Sequence, residues 1–242
     1  MATTASVTRQ TAISDTRFDR RLSEILDFAT EVFAEKGYEG ASIRDLSRLS
    51  GISLAGLYYY FDSKEKLLYY IQKHTFTTIL QRLHEHLAAT TDPERRLRVF
   101  VHNHVQYALE HEKAMKVLSH EDDVLRNGYR TELSAIKREY YQTCFRLVED
   151  VLRPKGASGG MRLPNTRTAV MSLFGAINWL YTWHNPKSDP GAEALANQIS
   201  DLFLRGICGV GPGPPANGTK ISSHAGKTRH HARASVSRRH HE

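Results

Sequence analysis

The sequence predicts an all-α protein of about nine helices, and three observations carry that reading. Apolar residues recur at three- and four-residue spacing through most of the chain. Ser, Asp and Pro stand where those runs begin, and Gly where they stop. No stretch alternates apolar and polar residues between turn signals, as a half-buried strand does.

Four segments follow from composition. Residues 1–16, rich in Ser, Thr and Ala without apolar periodicity, read as a disordered arm. Residues 17–63 read as a compact three-helix unit, residues 64–210 as a larger helical body, and residues 211–242 as a disordered basic tail. In the first helix Leu22, Ile25, Leu26, Ala29, Val32 and Phe33 share one face, and Gly37 stops it. Ser42 caps a second helix that carries Leu46 and ends near Gly51. Ser53 caps a short third helix with Leu57 and Phe61 inward, and Ser63 caps a long fourth from Lys64 to Leu87. Beyond Asp92 the pattern predicts helices near 93–110, 113–119, 122–153, 165–184 and 191–208, with Pro93 in the first turn of its helix.

Hydrophobic residues make up 40% and charged residues 24% of the 242, ordinary for a soluble chain, and no apolar run is long enough for a membrane span. The N-terminus lacks the apolar stretch of a secretory signal. Cys144 and Cys208 have neither CxxC spacing nor disulfide density, which fits a reducing cytoplasm. The net charge of +7 is unevenly spread: residues 17–66 carry −1 and residues 211–242 carry +5. Bulk charge therefore identifies no partner, and particular residues must.

Residues 42–61, SIRDLSRLSGISLAGLYYYF, have the spacing of a helix-turn-helix. Two steeply crossing helices need a small residue at their contact and a glycine in the turn, here Ser47 and Gly51. Leu54, Ala55, Gly56, Tyr58, Tyr59 and Tyr60 remain for the outer side of the third helix, although an ordinary three-helix corner has the same spacing. Three consecutive tyrosines cannot all face inward, so at least one meets solvent or a partner.

The longer stretch GYEGASIRDLSRLSGISLAGLYYYFDSKEKLL, residues 37–68, resembles the DNA-binding domain of the TetR family of bacterial repressors. Ser47 stands where that family usually has alanine. The resemblance implies a helix-turn-helix DNA-binding domain that reads a palindromic operator in double-stranded DNA as a homodimer. It implies that Leu54, Ala55 and Gly56 lie toward base edges, where the small side chains pack near thymine methyls, and that Ser53 beside them also contacts DNA. Ser42, Tyr58, Tyr59, Tyr60 and Lys64 then fall at or beside phosphate-contacting positions, with Arg44 able to reach guanine or phosphate. Glu24, Glu31, Glu35 and Glu39 must lie away from the groove.

The same resemblance implies a ligand-binding and dimerisation body. Residues 176–186, AINWLYTWHNP, with Tyr129-Arg130 and Tyr140-Tyr141, are similar to the branch that responds to acyl-CoA thioesters in fatty-acid, sterol or aromatic-acid metabolism. Trp183-His184 departs from that branch's usual Trp-Tyr pair. Such an effector needs an apolar tunnel and cations for its phosphates. Phe100, His104, Tyr107, Met115 and Leu118 are candidates for the wall, with Tyr141, Phe145, Phe174, Asn178 and Trp179. Arg126, Arg130, Lys137 and Arg138 are candidate cations. Leu173, Ile177 and Leu180, with Leu195, Ile199, Leu202 and Phe203, are candidates for a dimer interface and also serve an internal core.

No HExxH, P-loop or GxGxxG occurs, so neither an enzyme nor a resident cofactor is expected. His84/His86 and His102/His104 are spaced i,i+2 and point to different helix faces, which disfavours a metal site. Two alternatives stay open: a regulator of efflux or another operon with a different apolar ligand, and a constitutive DNA-binding protein whose body only dimerises. A cavity in the body separates them.

Overall fold

The computed structural model describes residues 3–120, 124–156 and 165–208, with side chains from Arg17 onward. The tail 211–242, with its histidines and basic residues, lies outside the described residues. In chain order the helices are α1 (Thr3–Gly40), α2 (Ile43–Ser50), α3 (Leu54–Tyr58), α4 (Lys64–Leu87) and α5 (Pro93–Glu110). They continue with α6 (Glu112–His120), α7 (Asn127–Gly156), α8 (Thr166–Asn178), α9 (Leu180–Trp183) and α10 (Ala192–Cys208). No strand occurs among the described residues.

The backbone of α1 is helical from Thr3, ahead of the Arg17 where the apolar pattern starts; residues 3–16 contain neither Gly nor Pro to stop it. The regular helix gives way at Gly37 (φ 68°), a backbone state that disfavours any side chain. The single helix predicted over 165–184 is two, α8 and α9, broken at Trp179 (φ −96°, ψ 7°). Thr182 donates to the Trp179 carbonyl through both its amide, at 3.0 Å, and its hydroxyl, at 2.7 Å, in place of a regular helical bond. Counted as one bent helix, this pair returns the predicted number.

Capping explains the sharp starts. Ser42 and Asp45 form a reciprocal capping box at α2, Ser53 accepts from the Gly56 amide, Ser63 from Lys66 and Asp92 from Arg95. Each such cap stabilises its helix by about 1 kcal/mol.

The described residues form two apolar cores. One gathers Ile25, Ala29 and Phe33 of α1, Leu46 of α2, Leu57 of α3, Phe61, and the first turns of α4. Val117 of α6, Leu125, and Leu133 of α7 join this core from the body. The other gathers the remainder of α4 with α5, α7, α8 and α10 around Leu83, Phe100, Val148 and Leu173. α4, α6 and α7 therefore belong to both regions, and Phe76 packs against both cores.

Candidate DNA-reading face and ligand cavity

The turn between α2 and α3 is closed by Gly51 (φ 69°) and by the Ser47 hydroxyl, which donates to the Ile52 carbonyl at 2.6 Å. Serine here keeps the small contact and adds a bond that alanine lacks. Gly56 sits where a Cβ would meet Ile52 Cγ2 at 3.0 Å, so α3 lies as close to the turn as glycine permits. Leu57 and Phe61 point inward and are buried. Leu54, Ala55, Tyr58 and Tyr59 stand exposed, Tyr59 by 74%. Tyr60 is half-buried and stacks on Phe18 of α1 at 4.9 Å.

Two candidate phosphate contacts have other occupations. Lys64 donates to the carbonyls of Tyr38 (2.7 Å) and Ala41 (3.2 Å) and lies 4.2 Å over the Tyr38 ring. It thereby ties the start of α4 to the end of α1. The Ser42 hydroxyl donates to Asp45 at 2.6 Å. Lys36, and then Ser42, hold the Asp45 carboxyl far below the usual carboxylate range. Asp45 also binds Arg48, so α2's carboxylate is engaged without Arg44, which is exposed. Glu31 pairs with Lys113 of α6 at 2.9 Å and so faces the body; Glu24 pairs with Arg21 on its own helix.

In the body a cavity of about 410 Å³ opens between α4, α5, α6, α7 and α8. Seven expected wall residues line it: His104, Met115, Leu118, Tyr141, Phe174, Asn178 and Trp179. Lys137 lines it as well, with Thr75, Phe76, Ile79, Ser119, Tyr140 and Met171. The first three of these last six lie on one face of α4, where their spacing reads equally well as core. Tyr140 is one helical turn from Lys137, a signal the α7 sequence does carry.

The remaining candidates are corrected. Phe100 is fully buried behind the wall, its ring 5.0 Å from that of Tyr140. Tyr107 is buried and packs on His111, and Phe145 touches Tyr141 from outside the lining. Arg130 and Arg138 line a different, open hollow with Ser134 and Glu139, on another face of α7. Arg126 is exposed and outside the lining, and its amide donates to Glu65 of α4 at 2.8 Å. Only Lys137 among the four candidate cations faces the cavity: its neighbour Arg138 points about 100° away around the helix, and Arg130 stands two turns nearer the start of α7.

The polar groups in the wall are mostly neutral at pH 7. His104 Nδ1 and the Tyr140 hydroxyl are 2.9 Å apart, and both side chains are buried. Burial pushes the imidazole down to about 4, against a smaller opposing pull from the Ile177 backbone, and pushes the Tyr140 phenol up. Burial also lowers Lys137, to about 8.

The interface candidates divide. Leu173, Ile177, Leu180 and Leu195 are buried in the chain's own core, and Ile199 and Phe203 pack half-buried against it. Leu202 alone of that set is exposed, by 76%. The apolar periodicity marked the inner faces of these helices. Their outer faces carry Ser172, Gly175 and Ala176 on α8, and Ala194 and Gln198 beside Leu202 on α10.

A capped helix-turn-helix packed on a helical body with an aromatic cavity defines a ligand-sensing DNA-binding regulator. Two family descriptions match the chain in tandem: bacterial regulatory proteins, tetR family, over residues 25–71, and Tetracyclin repressor-like, C-terminal domain, over residues 90–207. The chain belongs to the TetR family, as residues 37–68 implied. It is similar to the HTH-type transcriptional repressor NicS of Pseudomonas putida, 26% identical over 83% of this chain and 98% of NicS. It is also 22% identical to the fatty acid metabolism regulator protein of Bacillus subtilis, across 76% of this chain and 94% of that one. The solved structure of AibR in complex with isovaleryl coenzyme A and operator DNA has the same fold, with a TM-score of 0.65 at 22% identity over 77% of this chain and 97% of AibR.

Proposed function

We propose that this chain is a cytoplasmic, homodimeric transcriptional repressor without enzymatic activity, released from a palindromic operator by a small apolar effector, an acyl-CoA thioester. One observation carries the reading: the elements that wall the cavity also build the core of the reading head. α6 turns Met115, Leu118 and Ser119 to the cavity and Val117 to the head core, and its Lys113 pairs with Glu31. α4 gives Thr75, Phe76 and Ile79 to the cavity and Leu67, Leu68 and Ile71 to the head. An acyl group wedged into the cavity displaces both helices at once and changes the separation of the two heads in the dimer. A preference of about 3 kcal/mol for the displaced form weakens DNA binding about a hundredfold.

The cavity favours this reading over a constitutive DNA-binding protein, whose body would pack solid. No carboxylate lines it among the described residues, which disfavours a sensor of cationic drugs. Its volume suits the acyl portion, with at most one end of the carrier beside it and the nucleoside outside. The fatty-acid regulator and the AibR complex with isovaleryl coenzyme A support the choice of thioester. On the DNA side, α3 reads bases through Leu54, Ala55 and Gly56, with Arg44 beside them. Ser42, Ser53, Tyr58, Tyr59, Tyr60 and Lys64 meet phosphate, and the outer faces of α8 and α10 join the two copies.

The test is fluorescence anisotropy on DNA from upstream of the protein's own gene, titrated with acyl-CoAs and the matching free acids. Release by one thioester and not by its acid is the expected result. Tight binding indifferent to every thioester rejects the effector and keeps the repressor.

A further inference from the structure

We propose that Lys137 holds an anionic oxygen of the effector inside the cavity, so that the buried part of the ligand is an apolar, ring-accommodating group carrying a negative charge. This rests on the reading of the cavity as the effector site. Lys137 is the one charged side chain among the described lining residues. Its ammonium lies 5.5 Å from the centre of the Phe76 ring, and the walls around it include Tyr140, Tyr141, Phe174 and Trp179. A cation facing such a box offers an entering anion a charge-assisted hydrogen bond in surroundings that screen it little. A cationic ligand meets repulsion, and a neutral one leaves the ammonium as it was. Burial has already pulled Lys137 down to about 8, the direction that a bound anion reverses. The surface arginines cannot take this part, since Arg130 and Arg138 line a separate hollow.

The oxygen could belong to a carboxylate on the ligand's ring or chain, or to a phosphate of a nucleotide carrier. The chemistry at Lys137 is the same, and competition experiments tell the two apart.

The probes are 8-anilinonaphthalene-1-sulfonate and N-phenyl-1-naphthylamine, the same ring system with and without an anion, both brighter in apolar pockets. Fluorescence titration of the full chain gives an affinity for each. Lys137→Met should weaken the sulfonate probe about tenfold, near the effect of one charge-assisted contact, and move the neutral probe less than about twofold. Lys137→Arg should restore the sulfonate probe, and Met115→Trp, which fills the cavity, should expel both. Displacement of the bound sulfonate by decanoate points to a carboxylate, and displacement by decanoyl-CoA alone to a phosphate. An equal response of both probes to Lys137→Met, or probe binding that survives Met115→Trp, overturns the assignment of Lys137. A wild-type chain that takes up neither probe removes the cavity reading beneath it.

Discussion

Lys64 and Lys137 stand in the two halves of the molecule and are held in opposite ways. In the head, Lys64 is grasped by two backbone carbonyls and a tyrosine ring, and it joins α4 to the end of α1. In the body, Lys137 faces a cavity walled by aromatic side chains. The head is built from caps, short turns and backbone-directed polar bonds, which fix a shape. The body is built from rings around a space that a ligand can fill. A regulator needs both: a rigid surface for DNA and an adaptable interior for its signal.

The largest test of this contrast lies within the body itself. Phe100→Ala removes a fully buried ring and should cost about 3–5 kcal/mol, whereas Phe174→Ala, at the half-buried wall, should cost clearly less. Thermal unfolding of the two variants decides; equal losses would erase the distinction between core and wall.

Next in size is a pH effect confined to the body. His104 titrates near 4 in the fold and near 6.5 when unfolded, so the unfolded chain takes up the proton first. Its contribution is complete above pH 6.5 and is lost as pH falls toward 4, by roughly 3 kcal/mol in all. Denaturant melts at pH 7 and pH 4.5 should show that loss, and His104→Phe should shrink it.

Lys64→Ala leaves the Tyr38 and Ala41 carbonyls without their donor and should destabilise the chain by about 1–3 kcal/mol. The salt dependence of operator binding separates its two roles. A phosphate contact lowers the slope by about 1, and a purely structural clamp lowers affinity with the slope unchanged. Smallest are the hydroxyls of α2. Ser42→Ala should cost about 1 kcal/mol through the capping box. Ser47→Ala, a return to the family's usual residue, should cost about 0.5–1 kcal/mol through the bond to Ile52. Chemical denaturation measures both.

Much of the head was legible because its determinants are local. A cap and its amide lie three residues apart, and a turn glycine announces its own φ. The inward Leu57 and Phe61 follow from helical spacing, so Ser42, Gly51, Ser53 and Ser63 marked their boundaries directly. The cavity was legible in part. Aromatic residues on α5, α7 and α8 could be named from their spacing, but spacing alone does not separate Phe174 at the wall from Phe100 behind it. The same limit applies to α8 and α10, where spacing alone does not divide the apolar residues between the chain's own core and a second copy.

By itself, then, the sequence determined the helices, their caps, the helix-turn-helix and the family, since all of these rest on residues close together in the chain. Tertiary structure decided which turns and which face of α7 meet the cavity, and so why Lys137 lines it while Arg130, two turns earlier, and Arg138, on the next face, do not. It decided too that α6 carries side chains into both the cavity and the head core. Those outcomes depend on which helices pack around one another, and a helix's own periodicity holds no record of its neighbours.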